Sequence, residues 1–310
     1  MRLFSVTLLV QLIFSTAYAV EFSEIALKSH LKKVTSYPHP MGSDKQRETA
    51  KFISSHLKKF GYELELQSFK TETPNTPYPP YTKTVEAINV LAYTKHKAKC
   101  YNVIASHYDT KILDNFTGAN DPGSSIAGLL ELAGKLKNKT SKAGCNFLIV
   151  FFDGEEATLE GWNDSQRYHP SRIIDNTYGS RYMASTLVKC KKEKYCDPYR
   201  NKPIENLIIL DMIGAPNLKL SLDMNSSQRL LNKAKQLDLK YFDGSLYRNS
   251  YMASIADDHI PFCKLGIPCL NIIDFNHLDH WHNSTDTAEN IDFQSIKKAT
   301  QLAYYLSLDL

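Results

Sequence analysis

Short apolar segments alternate with helical segments along the chain, and this alternation most restricts the fold. The apolar segments are Asn102–Ser106, Phe147–Phe152, Leu207–Leu210 and Ile267–Ile273. Because a strand that is apolar at successive positions is buried on both faces, these segments indicate strands of a parallel sheet covered by helices. The sequence therefore predicts an α/β fold with a mostly parallel, mixed central sheet and helices on both faces.

Helical patterns separate these strands. Ser43 is suited to cap a helix that ends near Gly61, and apolar residues at spacings of three and four form one face of it. That face consists of Ala50, Ile53, Leu57 and Phe60. Further helices are predicted at Ile126–Leu136, at Tyr178–Val188 and in a last helix with Ile296, Ala299, Ala303 and Leu306 on one face.

The first residues indicate secretion. Arg2 is followed by the apolar run Leu3–Thr16 and then by Ala17-Tyr18-Ala19, which is the pattern of a cleaved signal peptide. The run is shorter than the roughly 20 apolar residues of a membrane span. We expect residues 1–19 to be a signal peptide, residues 20–310 to form a single catalytic α/β domain, and the mature protein to be secreted.

Cysteines and charge agree with that expectation. The formal net charge of +4 is too small to indicate a nucleic-acid partner. Six cysteines suit a secreted protein with disulfides, although free buried thiols remain an alternative. Cys190–Cys196 flank a short loop, Cys100–Cys145 precede two apolar segments, and Cys263–Cys269 would be left to each other. Five glycosylation sequons suit a eukaryotic secretory route: Asn115, Asn138, Asn163, Asn225 and Asn283.

Charged residues follow three of the predicted strands. His107 and Asp109 follow the first, Glu155 and Glu156 the second, and Asp211 the third. In open α/β sheets the ligand site lies beyond the carboxyl ends of the strands. A surface charge is the ordinary interpretation of any one of these residues, but their convergence on one edge predicts a functional site.

Zinc is the metal that these residue types suggest. Asp121 lies in the glycine-rich loop Gly118–Ser125, Glu156 follows a strand, and His282 lies in a polar loop. Catalytic zinc is bound by Asp, Glu and His side chains with one position left open. The long, irregular spacing does not by itself identify the ligands. Because adjacent residues in a loop point apart, Glu155 is a candidate general base beside Glu156, the alternative being a hydrated acidic turn.

A series of motifs resembles the animal-type glutaminyl-peptide cyclotransferases (glutaminyl cyclases), which belong to the zinc aminopeptidase-like M28 superfamily. The motifs are Ser106–Asp109 (SHYD), Gly118–Ser125, Phe151–Ala157 (FFDGEEA), Leu210–Asn217 (LDMIGAPN), Asp257–Phe262 (DDHIPF) and Trp281-His282. The FFDGEEA element is shared with aminopeptidases, whereas LDMIGAPN and DDHIPF favour the cyclases.

The resemblance implies roles for individual residues. It makes Asp121, Glu156 and His282 the ligands of one zinc ion and Glu155 the general acid and base. Asp257 would contact the amide nitrogen of the substrate, and Asp211 would be a second acid near it. Trp281 would form a wall of the substrate pocket. Trp162 would form another, although one extra residue after Glu156 leaves that alignment open.

Two positions depart from the cyclase pattern. Ser106 replaces a cysteine of a family disulfide, for which Cys100–Cys145 is a candidate replacement. Asn271 replaces a histidine just inside the pocket, which puts the detailed shape of the pocket in question.

The expected activity is conversion of the N-terminal glutamine of peptides to pyroglutamate with release of ammonia, by a monomer without nucleic-acid or membrane partners. The main alternative is a secreted zinc aminopeptidase, in which His107 and Asp211 would bind a second metal bridged by Asp121. A catalytically inactive binding domain of the same fold is a further alternative. The presence of Glu155 and of all three zinc-ligand candidates argues against it.

Overall fold

The computed structural model describes residues 20–76, 78–94, 99–192 and 202–310. The helices are α1 (Glu24–Val34), α2 (Asp44–Lys59), α3 (Ser125–Leu136), α4 (Asp164–Arg167), α5 (Tyr178–Lys192), α6 (Gln228–Phe242), α7 (Ile260–Cys263) and α8 (Phe293–Asp309). The strands are β1 (Glu63–Pro74), β2 (Thr82–Tyr93), β3 (Tyr101–His107), β4 (Asn146–Phe152), β5 (Ile204–Asp211), β6 (Leu222–Asp223), β7 (Met252–Ala253) and β8 (Cys269–Ile273). The predicted signal peptide and the Cys190–Cys196 pairing lie outside the described residues.

Six strands form the central sheet in the order β1-β2-β4-β3-β5-β8. Strands β4, β3, β5 and β8 are mutually parallel, whereas β1 and β2 are added antiparallel at one edge. The predicted mostly parallel, mixed sheet is therefore confirmed, whereas β1 and β2 were not predicted. β1 begins with Glu63-Leu64-Glu65-Leu66 and is partly exposed, so it lacks the continuous apolar character of the other strands. β2 ends in the mostly buried run Ala87–Tyr93, which is apolar except for Asn89.

Helices cover both faces of the sheet because side chains along a strand point alternately to opposite sides. In β4, Phe147, Ile149 and Phe151 pack in a core with α1, α2, α3, α6 and α8. Leu148, Val150 and Phe152 pack in a second core with α5 and α7. The predicted helices on both faces are confirmed. Among the described residues no helix has the length and apolar character needed to cross a membrane.

Two of the expected disulfides are formed. Cys100 and Cys145 join the starts of β3 and β4, and Cys263 is bonded to Cys269. Closing a loop with a sequence separation of 45 residues restricts the unfolded chain, which stabilises the fold by roughly 3–5 kcal/mol in the chain-entropy account. The first bridge thus fixes the register of the two strands that deliver His107 and Glu156 to the same edge.

The turn before α3 depends on a glycine. Gly118 has φ 60°, in the left-handed region that favours glycine, and its carbonyl accepts a hydrogen bond from Gly123 N at 2.8 Å. A Cβ atom at this position would lie 2.0 Å from the carbonyl oxygen of Asp121. The absence of a side chain therefore allows the backbone to fold back closely enough to aim Asp121 inward.

We predict that Gly118→Ala destabilises the protein more than Gly61→Ala does. Gly61 also has a positive φ, of 90°, but nothing lies within 4 Å of its added Cβ, so its replacement should cost about 1–2 kcal/mol. The backbone clash at Gly118 should add about 1–3 kcal/mol. Urea unfolding of both variants measures the difference. Equal losses would show that the close approach at Gly118 does not constrain this turn.

Candidate metal centre and active site

Three ligand-type side chains from separate parts of the chain meet beyond the carboxyl ends of the parallel strands. We call Asp121, Glu156 and His282 the ligand triad. Asp121 comes from the turn before α3, Glu156 from the loop after β4, and His282 from the loop after β8. One ligand atom from each lies within 4.8 Å of the others. His282 Nε2 is 3.2 Å from Glu156 Oε1 and 3.6 Å from Asp121 Oδ2.

The ligand triad fits a zinc ion in its chemistry and in its unsatisfied atoms. Glu156 Oε2 is buried and makes no hydrogen bond, although His282 Nε2 lies 3.2 Å from it and the buried Lys111 Nζ lies 4.0 Å from it. A buried carboxylate needs nearby positive charge, which Lys111 supplies in part and a bound cation would increase. Asp, Glu and His side chains are also zinc ligands.

The charges within the ligand triad are strongly coupled. Burial raises the pKa of Glu156. Burial acts in the same direction on Asp121, but the hydrogen bond to His107 and the positive charges of His107, His282 and Lys111 together outweigh it and lower the pKa of Asp121. Burial of His282 favours the neutral ring, whereas the hydrogen bond to Glu156 and the negative charges of Glu156 and Asp121 together raise its pKa. A metal ion would therefore have to displace a proton from this group as it binds.

Two further carboxylates hold the backbone of the ligand loops. Asp286 Oδ1 accepts a hydrogen bond from Asn120 N at 2.7 Å, and Oδ2 accepts one from Asp121 N at 3.1 Å. Asp109 does the same for the other loop, accepting from Glu155 N at 3.0 Å and from Glu156 N at 3.3 Å. The sequence analysis placed Asp109 at a strand end but gave it no role, and it missed Asp286, which no motif or strand end marks.

Two non-glycine residues at the site adopt left-handed backbone conformations. His282 has φ 51° and Met212, which directly follows Asp211, has φ 48°. Such conformations cost about 1–3 kcal/mol each and persist where the surrounding structure imposes them. The surrounding contacts therefore offset the conformational cost of a backbone that points His282 and Asp211 toward the same space.

A cavity of about 260 Å³ lies against the ligand triad. Its walls include three carboxyl groups, which we call the acid cluster: Glu155, Asp211 and Asp257. Trp162 and Trp281 line the same cavity. The structure thus brings both predicted indoles and all three predicted acids to one space, beside Asp121 and His282.

Glu155 and Asp211, two members of the acid cluster, hold their protons more tightly than free carboxylic acids do, because both have raised pKa values. Burial is the largest cause for Glu155 and, with the negative charges of Asp257 and Glu156, raises its pKa well above the usual range. Burial also raises the pKa of Asp211 to about 7, against the opposing hydrogen bond from His107. Carboxyl groups that exchange protons near neutral pH are suited to general acid and base catalysis.

Asp257 is held from behind by Asn271. The Asn271 amide donates to Asp257 Oδ2 at 2.7 Å, and the backbone N–H of Asp258 donates to Asp257 Oδ1. Asn271 is buried and does not contribute to the cavity wall, so it lies one layer behind the pocket position expected for it. Its place in the structure is suited to orienting Asp257 rather than to touching a ligand.

The indole of Trp281 stacks on the ring of His282, with ring centroids 4.1 Å apart and planes 24° from parallel. Phe275 contacts the same indole edge-on at 5.4 Å. This packing fixes both the cavity wall and the adjacent candidate ligand.

A second candidate metal group shares Asp121. His107 Nε2 lies 3.0 Å from Asp121 Oδ1 and 3.3 Å from Asp211 Oδ1, and the three ligand atoms lie within 4.8 Å of one another. The structure therefore also brings together the residues that a two-metal site would need.

The fold is thus an α/β sheet with candidate metal ligands beyond the carboxyl ends of its parallel strands. The sequence model of peptidase family M28 matches residues 89–307, so the chain belongs to peptidase family M28.

Within this family, the chain is similar to several proteins that are named as cyclotransferases or glutaminyl cyclases. The chain is 29% identical over 303 residues to a glutaminyl-peptide cyclotransferase of Gloydius blomhoffii, covering 89% of this chain and 77% of that protein. It is 26% identical over 304 residues to a glutaminyl-peptide cyclotransferase of Drosophila melanogaster, covering 88% and 78%. The crystal structure of a glutaminyl cyclase from an Acidobacteriales bacterium is similar with a TM-score of 0.74 at 26% identity, covering 94% of this chain and 96% of that one.

We predict that Asp286→Asn weakens zinc binding by roughly 10–100-fold, because loss of a group that orients a ligand typically has an effect of this size. Asp292→Asn is a matched control, since Asp292 also accepts two backbone N–H groups but caps α8. Competition with a zinc chelator measures both affinities. Equal affinities for the two variants and the unmodified protein would contradict a role of Asp286 in positioning Asp121.

Proposed function

We propose that this protein is a zinc-dependent glutaminyl-peptide cyclotransferase, which converts the N-terminal glutamine of peptides to pyroglutamate and releases ammonia. The observation that carries the proposal is the single cavity in which the acid cluster and two indoles lie beside the ligand triad. The similarity to cyclotransferases over most of the chain supports it.

The cavity suits one terminal residue of a peptide. Its volume of about 260 Å³ is below the roughly 300–1,000 Å³ of sites for drug-sized ligands. A wider groove of about 430 Å³ adjoins the cavity and shares Trp162 and Asp257 with it. In the proposed complex the glutamine side chain occupies the cavity, and the rest of the peptide leaves along the groove.

The proposed reaction closes a ring within one residue. The α-amine attacks the carbonyl carbon of the side-chain amide, a C–N bond forms, and the bond to the amide nitrogen breaks as ammonia leaves. The α-amine has a pKa of about 8, so part of it is neutral near pH 7 to 8. Since both reacting groups belong to one side chain, the walls of the cavity need only hold it in a ring-closing shape.

Zinc held by the ligand triad would supply Lewis acidity toward the amide carbonyl oxygen. Glu155 is proposed to accept the proton of the attacking amine and to deliver it to the departing nitrogen. Its raised pKa makes the ionised carboxylate a stronger base, which favours the first of these steps.

Asp257, kept in orientation by Asn271, is proposed to hold the departing nitrogen. Asp211 is proposed to support Asp257 from the same wall of the cavity.

An aminopeptidase is the second candidate function. The His107–Asp121–Asp211 group is the observation that favours it, because two metals bridged by Asp121 would suit peptide hydrolysis. We favour the cyclase because the relatives described above are cyclotransferases over most of the chain.

We further propose that residues 1–19 are a cleaved signal peptide and that the mature protein is a secreted monomeric glycoprotein. Asn115 and Asn138 are suitable acceptors, since both are exposed and neither lines the cavity. Asn225 is poorly suited because its amide nitrogen donates to Ser254 Oγ and to Ile255 O.

Offering a glutamine-linked and a leucine-linked fluorogenic amide tests the function directly. With a trimming aminopeptidase that acts only on pyroglutamyl-amides, we predict signal from the glutamine substrate alone. We predict no release of leucine without that helper enzyme. Direct release of leucine would show that the protein is an aminopeptidase.

We predict that Glu155→Gln lowers kcat by roughly 10²–10⁴-fold, as expected for loss of a general acid and base. Zinc content should be unchanged, because Glu155 is not in the ligand triad. Glu160→Gln is the control, since Glu160 is exposed nearby and does not line the cavity. Near-full activity of Glu155→Gln with zinc bound would contradict the assigned role.

A further inference from the structure

Three side chains of types that can bind a metal also meet between helices α1, α2 and α3, outside the cavity. His30 comes from α1, His56 from α2 and Glu131 from α3, and one ligand atom of each lies within 4.8 Å of the others. We call them the interhelical group. None of them lines the catalytic cavity or belongs to the ligand triad.

The contacts within the interhelical group are close and specific. His30 Nε2 lies 3.2 Å from Glu131 Oε1. The rings of His30 and His56 meet edge to face, with centroids 4.4 Å apart. Two imidazoles and a carboxylate that converge in this way resemble the first coordination sphere of a metal more than an ordinary hydrophobic contact between helices.

The three side chains of the interhelical group are buried to different degrees. His30 is 6% exposed and the side chain of Glu131 is 14% exposed, whereas His56 is only partly buried. The rings of Phe52 and Phe60 pack beside the histidines, with His56 and Phe60 centroids 4.9 Å apart. An ion could therefore enter from solvent and keep a water ligand, while the apolar walls limit competition by bulk water.

We propose that His30, His56 and Glu131 form a second zinc-binding site, which ties α1, α2 and α3 together and is separate from the catalytic metal. Imidazole ligands favour zinc over calcium or magnesium, and a His₂Glu set is an established zinc ligand set. The site does not depend on the proposed catalytic function.

Equilibrium dialysis against buffered free zinc in the micromolar range, followed by elemental analysis, tests the proposal. His56→Phe keeps a ring against His30 and Phe60 but has no ligand nitrogen, and Glu131→Gln keeps the size of the side chain. Each variant is expected to bind one zinc equivalent fewer than the unmodified protein. Lys59→Ala, on the same helix but without a ligand atom, is expected to retain the full number.

A second measurement separates metal loss from misfolding. The zinc-dependent rise in melting temperature should be smaller for His56→Phe and Glu131→Gln than for Lys59→Ala, while the melting temperature without zinc changes little. Activity toward the glutamine substrate should be unchanged, since these residues do not line the cavity. Equal zinc content in the unmodified protein and both ligand variants would overturn the second site and leave the proposed function untouched.

Discussion

Buried carboxyl groups crowded at one edge of the sheet are the constraint on which the site depends. Asp121, Glu156 and the acid cluster lie in the same buried region, where each negative charge disfavours the next. Proteins resolve such crowding with shared protons, imidazoles or a cation. Here His107 and His282 lie between the acids, several pKa values are raised, and a metal ion would supply the remaining compensation.

The fold holds this unfavourable arrangement in place mainly through backbone contacts. Asp109 and Asp286 each accept hydrogen bonds from two consecutive backbone N–H groups of a loop that carries a candidate ligand. His107 and Asp211 are the last residues of the parallel strands β3 and β5, which pair with each other. The Cys100–Cys145 bridge joins the start of β3 to the start of the parallel strand β4. The cost of burying charge is thus offset by a rigid scaffold rather than by exposure to water.

The parts of the structure that the sequence predicted are those governed by local pattern. Four strands were predicted because they are apolar throughout, and Glu156 was identified as a strand-end residue. Strand β1 was not predicted because Glu63–Leu66 is only partly apolar, and the apolar run of β2 is interrupted by Asn89. Asp121 and His282 lie in loops without periodicity, so a family resemblance was needed to single them out. Asp286 and the position of Asn271 behind Asp257 depend on contacts between distant segments, which one sequence does not reveal.

We propose that one metal ion is bound by Asp121, Glu156 and His282 beside the cavity. Anomalous diffraction at the zinc absorption edge, on crystals of the protein purified without chelators, would locate it. We expect a strong peak at the cavity within coordination distance of those three side chains, and none between His107 and Asp211. Two bridged peaks on either side of Asp121, or no peak beside Glu156 and His282, would contradict it.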